Sequence, residues 1–483
     1  MVLTARILRA ALARPAVLMA VSPGATEARL CLERELRQRG WPMAEGPAEA
    51  NVLAMVGNPD PDDSRWTEGL WAAVPAPKAR FHLVASRNAG TALDEVATAL
   101  LRVPPMSATP VAPDPPHHSP GTSPEVPPPE KQHASEDHAG HGRDFTNDEA
   151  MPRNHHGAAD ERDFQPQHAV IDGRDEETQH PDDAERREHA GHGLPSSHGA
   201  PEGSDVHGGH TGHDMGMEVA GLPMADRSDD RDGLRLDQLH VSLGPALLDW
   251  PAGLILHLSL QGDVIQRAHV EQTRVRTGSV PPFWDEPWLR AASGEQVSRG
   301  QAARRLCAAH LDSVGRLLAV AGWQAEARRA RVARDVALAG RSADDVVAAL
   351  RPLVRRVGRS RTLRWLTFGL GELGTEAAAS AGLSGPALAA GGDVWDRLAL
   401  WIEEAARSAA LCDKTEPLDS ARQHDGPRGI VGGDVPPSQA LLDVLPRLLE
   451  GAEFAGARLI VASLDPDLDE LVSSSVGGRA PHG

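Results

Sequence analysis

The chain has 483 residues, a formal net charge of −19 and 40% hydrophobic residues, enough for two or three domains with sizeable cores. That acidity argues against a nucleic-acid partner, because neutralising phosphates needs clustered Lys and Arg. Three widely separated cysteines, Cys31, Cys307 and Cys412, exclude a disulfide framework and suit a reducing, cytoplasmic compartment. No apolar stretch reaches the ~18 residues of a membrane span.

Residues 1–103 alternate strand and helix signals. Arg6, Arg9 and Arg14, with no acid in Met1–Ala25, make a targeting peptide conceivable, but the apolar run Ala16–Val21 is short and reads better as a first core strand. Pro23-Gly24 then turns the chain into a helix over Thr26–Arg39. A second strand spans Asn51–Val56, a helix follows around Trp66–Ala73, and Phe81–Ala85 reads as a third strand. This order with short loops predicts a small parallel α/β sheet.

From residue 104 to 220 the composition shifts to Pro, His, Asp, Glu, Gly and Ser. The segment holds 23 acids against 7 bases, about −16, and 15 of the 22 histidines. It lacks apolar clusters that could offset ordering entropy, so it reads as a disordered linker. Its densest ligand run is His207-Gly-Gly-His-Thr-Gly-His-Asp-Met-Gly-Met217. There His207, His210 and His213 could wrap Ni²⁺, Zn²⁺ or Cu²⁺, and Met215 and Met217 add soft sulfur. The plainer reading is polar filler.

Residues 221–483 read as α+β, mainly helical with β segments at both ends. Leu234–Val241 and Gly253–Val270 suggest antiparallel strands around a Gln261-Gly-Asp263 turn. Helices fit Ala302–Ala321, Ala325–Leu338, Ala343–Val357, Asp393–Ala410 and Ser438–Leu449, and the apolar run Leu459–Ala462 reads as a closing strand. Arg328, Arg329, Arg331 and Arg334 form a basic stretch, read as a solvated helix face or a surface for an acidic partner. Trp284 and Trp288 read as core or as a peripheral contact.

Four places in this half, in order, carry a resemblance. They are Leu239-His-Val-Ser-Leu-Gly-Pro245 with Leu260-Gln-Gly-Asp-Val264; Arg305-Leu-Cys-Ala-Ala-His310; Gly382-Leu-Ser-Gly-Pro386 with Asp393-Val-Trp-Asp-Arg397; and Leu445-Pro-Arg-Leu-Leu449 with Ser463-Leu-Asp-Pro466. Gly426-Pro-Arg-Gly429 is a further match. Together they resemble the large subunit of nickel–iron hydrogenases and its relative in respiratory complex I. Ala50–Gly57, Trp71 and Pro75-Ala-Pro-Lys78 are similar to the partner small subunit. The chain thus resembles a fusion of the two subunits.

The resemblance implies cofactors that the residue counts refuse. A four-iron cluster and a nickel–iron centre each need four thiolates, and the N-terminal region has only Cys31. Gly24-Ala25 and Ser86-Arg-Asn88 stand where cluster cysteines are expected. The chain has no Tyr for the Tyr–His pair that holds quinone in complex I. No iron–sulfur cluster is expected. If the motifs align, the four nickel-ligand positions become Cys307, His310, Asp467 and Glu470, a mixed set suited to a divalent metal such as Zn, Fe or Ni. The alternative is a small buried thiol, a satisfied helix histidine and two surface acids.

The first expectation is a redox-degenerate accessory, assembly or structural component of a membrane oxidoreductase complex. It would be cytoplasmic and peripheral to the membrane through partner subunits. The alternatives are a metal-binding protein, through the tract or the core set, and an active NADH–quinone-type subunit.

Overall fold

A computed structural model describes residues 13–59, 65–102, 218–219, 222–223, 226–229, 235–273, 281–419 and 425–472. The parts on either side of the acidic segment pack into one compact unit. The fold class is as read from the sequence: an α/β N-terminal region and a mainly helical C-terminal region entered through antiparallel strands.

In the N-terminal region β1 (Val17–Val21), β2 (Val52–Val56) and β3 (Ala79–Leu83) form a parallel sheet in that order, with Val17 opposite Val52 and Val52 opposite Ala79. Side chains alternate across it, as the two-residue period of a strand requires. Val17, Val52, Ala54 and Val56 pack with α1 (Thr26–Arg39) and α3 (Ala89–Arg102), while Leu18, Ala20 and Leu53 face α2 (Arg65–Ala73). Gly40, in the left-handed conformation, ends α1 and donates its N–H to Arg37 O and Leu36 O. The third strand begins two residues earlier than its apolar content suggests.

The C-terminal region opens with a short pair, β4 (Glu218–Val219) and β5 (Leu222–Pro223). A four-stranded antiparallel sheet follows, ordered β6 (Asp226–Asp229), β7 (Arg235–Leu243), β8 (Leu254–Gln261), β9 (Val264–Gln272). The helices are α4 (Glu286–Ala292), α5 (Arg299–Val320), α6 (Gln324–Leu338), α7 (Ala343–Val357), α8 (Arg361–Thr367), α9 (Thr375–Ser380), α10 (Gly385–Ala390), α11 (Val394–Ala409), α12 (Pro437–Leu449) and α13 (Phe454–Leu464). Trp284 and Trp288 are core residues.

Helix α5 is the axis of this half. A capping box starts it: Ser298 Oγ accepts from Gln301 N–H, and the Gln301 side chain accepts from Ser298 N–H. Cys307 to Gly315 are buried without interruption, so α5 is surrounded on all sides. Helix α6 returns along it on a seam of small residues. A Cβ on Gly315 would meet Arg331 Cγ at 3.3 Å, and Ala327, Ala330, Ala333 and Ala337 are buried opposite.

One predicted element is corrected. Leu459–Ala462 is not a strand but the buried middle of α13. Periodicity alone cannot separate a short, all-apolar strand from a helix buried on every side. The β contact there is a single bridge, Val264 to Glu453, immediately before the helix. The linker expected over 104–220 lies outside the described residues except for Glu218 and Val219.

Candidate functional site

The two regions meet along a buried chain of alternating charges. From α1, Arg29 donates to Glu33 at 2.6 Å and to Asp312 of α5 at 2.7 Å. From α6, Arg334 donates to Glu33 at 2.9 Å and also bonds Asp312. Arg316 continues the chain from Asp312, at 3.1 Å, to Asp465, at 2.8 Å. Arg428 closes it with Nη2 on the Asp465 carboxylate and Nε on the Asp465 carbonyl at 2.6 Å. Burial pushes the Glu33 carboxyl up, but Arg334 and Arg29 outweigh it and hold it at about 2. Asp312 lies well below the usual carboxylate range because Arg29, Arg316 and Arg334 overcome the same burial. Every carboxylate in this chain faces at least two guanidinium groups.

The basic stretch on α6 is split: Arg328 is exposed and Arg329 half-exposed, as a solvated face requires, whereas Arg331 and Arg334 turn inward. Arg334 is completely buried and Arg331, 7% exposed, pairs with Asp249. The acidic partners lie within the same chain, mostly on distant elements.

Asp465 caps α13 in the left-handed conformation, φ 43°, which is uncommon outside glycine. Its carboxylate accepts from Ser313 Oγ at 2.7 Å as well as from Arg316 and Arg428, so the surroundings fix the turn. Beyond Pro466 the chain runs inward rather than along the surface. Asp467 N–H donates to Ser438 Oγ and Ser438 N–H to Glu470 Oε2, both at 2.8 Å. Asp469 turns toward the other region, where its carboxylate accepts from Gly24 N–H at 2.5 Å and Thr26 Oγ1 at 2.7 Å. The contact is tight: a Cβ on Gly253, φ +80°, would come within 2.4 Å of Pro23 Cγ.

These acids behave unlike those of the ion-pair chain. Asp467 is pushed well above the carboxylate range by burial and then by Asp469 and Glu470. Burial and then Asp285 raise Glu470 to about 8; burial and then Asp467 raise Asp285 to about 7. Arg428 is the nearby cation that stabilises all three ionised forms, and it is already committed to Asp465. The group is a buried store of protons near neutral pH.

Of the four predicted core ligands, Cys307 and His310 lie on α5, and Asp467 and Glu470 lie in the segment that follows α13. Cys307 is fully buried; burial, then the neighbouring Cys412, pushes its thiol up to about 12. His310, one turn on, lines a cleft of about 370 Å³ with Leu306, Ser384, Pro386, Leu400 and Ile430. Burial, then the cation of Arg428, lowers it to about 3, so the imidazole is neutral at neutral pH. Asp467 and Glu470 bracket Ser438 and are buried, not surface acids. Among the described residues no three His, Cys, Asp or Glu side chains gather as a metal site. His310 Nδ1, Arg428 Nη1 and Asp467 Oδ2 are buried without a hydrogen-bond partner among the described residues. A nickel–iron centre takes four thiolates, and these four positions supply one thiol, one imidazole and two carboxyls, with the Arg428 cation acting on both carboxyls, so they do not fit that group. Residues 103–217, which include His207, His210, His213, Met215 and Met217 of the tract, lie outside the described residues.

No family model matches this chain. No curated protein matches it either. Among solved structures, it is similar to a chain of the membrane-bound sulfane sulfur reductase (MBS), an archaeal respiratory membrane complex, at 15% identity and a TM-score of 0.38. The overlap covers 48% of this chain and 98% of that one. No helix among the described residues is long and apolar enough to cross a membrane.

Asp285, Asp312 and Asp465 were missed as site residues by sequence reasoning. Asp285 follows an apolar Pro-Pro-Phe-Trp run and Asp312 lies mid-helix between Leu311 and Ser313 in a stretch of small and apolar residues, an expensive place for a carboxylate unless it is paired. That cost was the available signal.

Proposed function

We propose that the chain is a complex I/hydrogenase-like component of a membrane oxidoreductase complex that serves assembly or structure rather than electron transfer. The ordered motifs quoted above support the family assignment. The observation that carries the loss of redox chemistry is the seat of Asp469 on Gly24 N–H and Thr26 Oγ1. By the resemblance, a cluster-binding loop of the small subunit belongs at Gly24-Ala25, and the large subunit's final Cys-x-x-Cys belongs at Asp467–Glu470. Here a direct carboxylate contact joins these two segments. The thiols agree with this reading: Cys307 and Cys412 are buried and burial raises both, so neither supplies a ready thiolate.

The test is native-gel separation of gently solubilised membranes from the source cells, with this chain tagged. Co-migration with a membrane oxidoreductase complex is expected, and migration only as a free monomer would sink the reading. Spectra of the purified chain provide the second readout: an iron–sulfur or other electron-transfer signal would restore the active-subunit alternative.

A further inference from the structure

We infer that the α7–α8 corner is a membrane-surface contact that seats Trp365 and Phe368 among the headgroups of an anionic lipid bilayer. Between Asp345 and Glu372 the chain has no acid and six arginines, Arg351, Arg355, Arg356, Arg359, Arg361 and Arg364, all exposed. Among the described residues only Arg356 of these six has a carboxylate partner, Glu326 at 3.2 Å. The same corner holds the two most exposed large apolar side chains of the described residues, Trp365 at 79% and Phe368 at 76%.

Helical spacing puts charge and aromatic groups on one side. Arg361, Arg364, Trp365 and Phe368 stand at i, i+3, i+4 and i+7, while Leu363 and Thr367 are buried on the other face. The helix itself gains nothing from this arrangement, because Arg361 sits in a first turn that favours acids. The segment is also held firmly. Asp393 Oδ2 accepts from Gly369 N–H at 2.7 Å, immediately after Phe368, and Arg364 lies over the Trp395 ring at 5.9 Å. A fixed stripe of guanidinium and aromatic groups matches a bilayer interface: arginine binds lipid phosphate in a fork, and Trp and Phe rings partition at headgroup depth. An acidic protein surface would use the arginines but leaves the bare indole and phenyl rings unexplained.

The net charge of −19 does not oppose this, since about −16 of it belongs to residues 104–220 and exposed charges beyond ~8 Å are screened at physiological salt. The inference gives the chain a lipid contact of its own. Because pure lipid tests it, its failure would leave the co-migration result untouched.

The experiment is flotation of the full chain with vesicles of phosphatidylcholine plus phosphatidylglycerol, and with phosphatidylcholine alone. Binding to the anionic vesicles that falls with added salt is expected, with little binding to the neutral ones. R359Q/R361Q is expected to weaken binding about 30-fold, R359K/R361K to retain most of it, and W365S/F368S to weaken it about tenfold or more. All these positions are exposed, and circular dichroism checks that the variants fold. No binding to anionic vesicles, or binding that either loss variant leaves unchanged, overturns the inference. So does arginine-dependent binding to polyglutamate with no binding to vesicles, which would make the corner a site for an acidic polypeptide.

Discussion

Two sets of buried carboxylates lie at opposite ends of one polar seam, and they titrate in opposite directions. Glu33 and Asp312 are held low; Asp285, Asp467 and Glu470 are held high. Burial raises all five. What separates them is the balance of neighbouring charge: Arg29, Arg316 and Arg334 surround the first set, whereas the second shares Arg428 with Asp465 and its members repel one another. Burial alone therefore does not tell whether an acid is structural charge or stored proton. The balance of neighbouring cations and anions decides it.

The sharpest way to break the comparison is to remove a cation from the saturated side. Arg334→Met leaves Glu33 and Asp312 short of a partner in the interior and should destabilise the chain by about 3–5 kcal/mol in denaturant melts. A loss below 1 kcal/mol would mean that Arg29 and Arg316 suffice. Next in size is the pH response. Glu33 and Asp312 are depressed, so their stabilisation is present above the unfolded carboxyl range and is lost as pH falls toward about 2. Glu470 and Asp285 are raised, so theirs is present below the unfolded range and is lost as pH rises through about 7 to 8. Each such proton contributes a slope of about 1.4 kcal/mol per pH unit between its unfolded and folded values. Glu470→Gln should flatten the decline between mildly acidic and mildly alkaline pH in melts across that window; an unchanged slope would place the proton elsewhere. The smallest effect tests the contact between the regions. Thr26→Val removes one hydrogen bond to Asp469 and should cost about 1–2 kcal/mol. It should also raise proteolysis of the N-terminal region, and no change in either measurement would make the contact incidental.

Much of the framework was legible. Helix α1 follows from its turn at Pro23-Gly24, and the β8–β9 hairpin from Gln261-Gly-Asp263 between alternating strands. The short helices α8, α9 and α10 were not, since six or seven residues carry too little periodicity to read. At the site, sequence pointed to Asp467 and Glu470 but expected exposed acids or metal ligands. The companion that explains Asp312 is Arg29, 283 residues away, and the one that explains Arg334 is Glu33, 301 residues away. The i,i+4 pairs Arg29–Glu33 and Asp312–Arg316 are local, but those distances hide the links between the elements from any local pattern. The family motifs did mark Arg428, but as a turn rather than as the cation around which the acids gather.

The unbroken burial of α5 from Cys307 to Gly315 has a last consequence. Asp312 is 1% exposed inside the helical half, yet one of its guanidinium partners, Arg29, arrives from the N-terminal half. Cut from its companion, the helical half would keep an interior anion with diminished neutralisation, and the N-terminal half would present Arg29 and Glu33 to water. Neither piece is self-sufficient in charge. Continuity of the polypeptide guarantees one copy of each, so the stoichiometry of this contact is fixed at synthesis rather than by concentration.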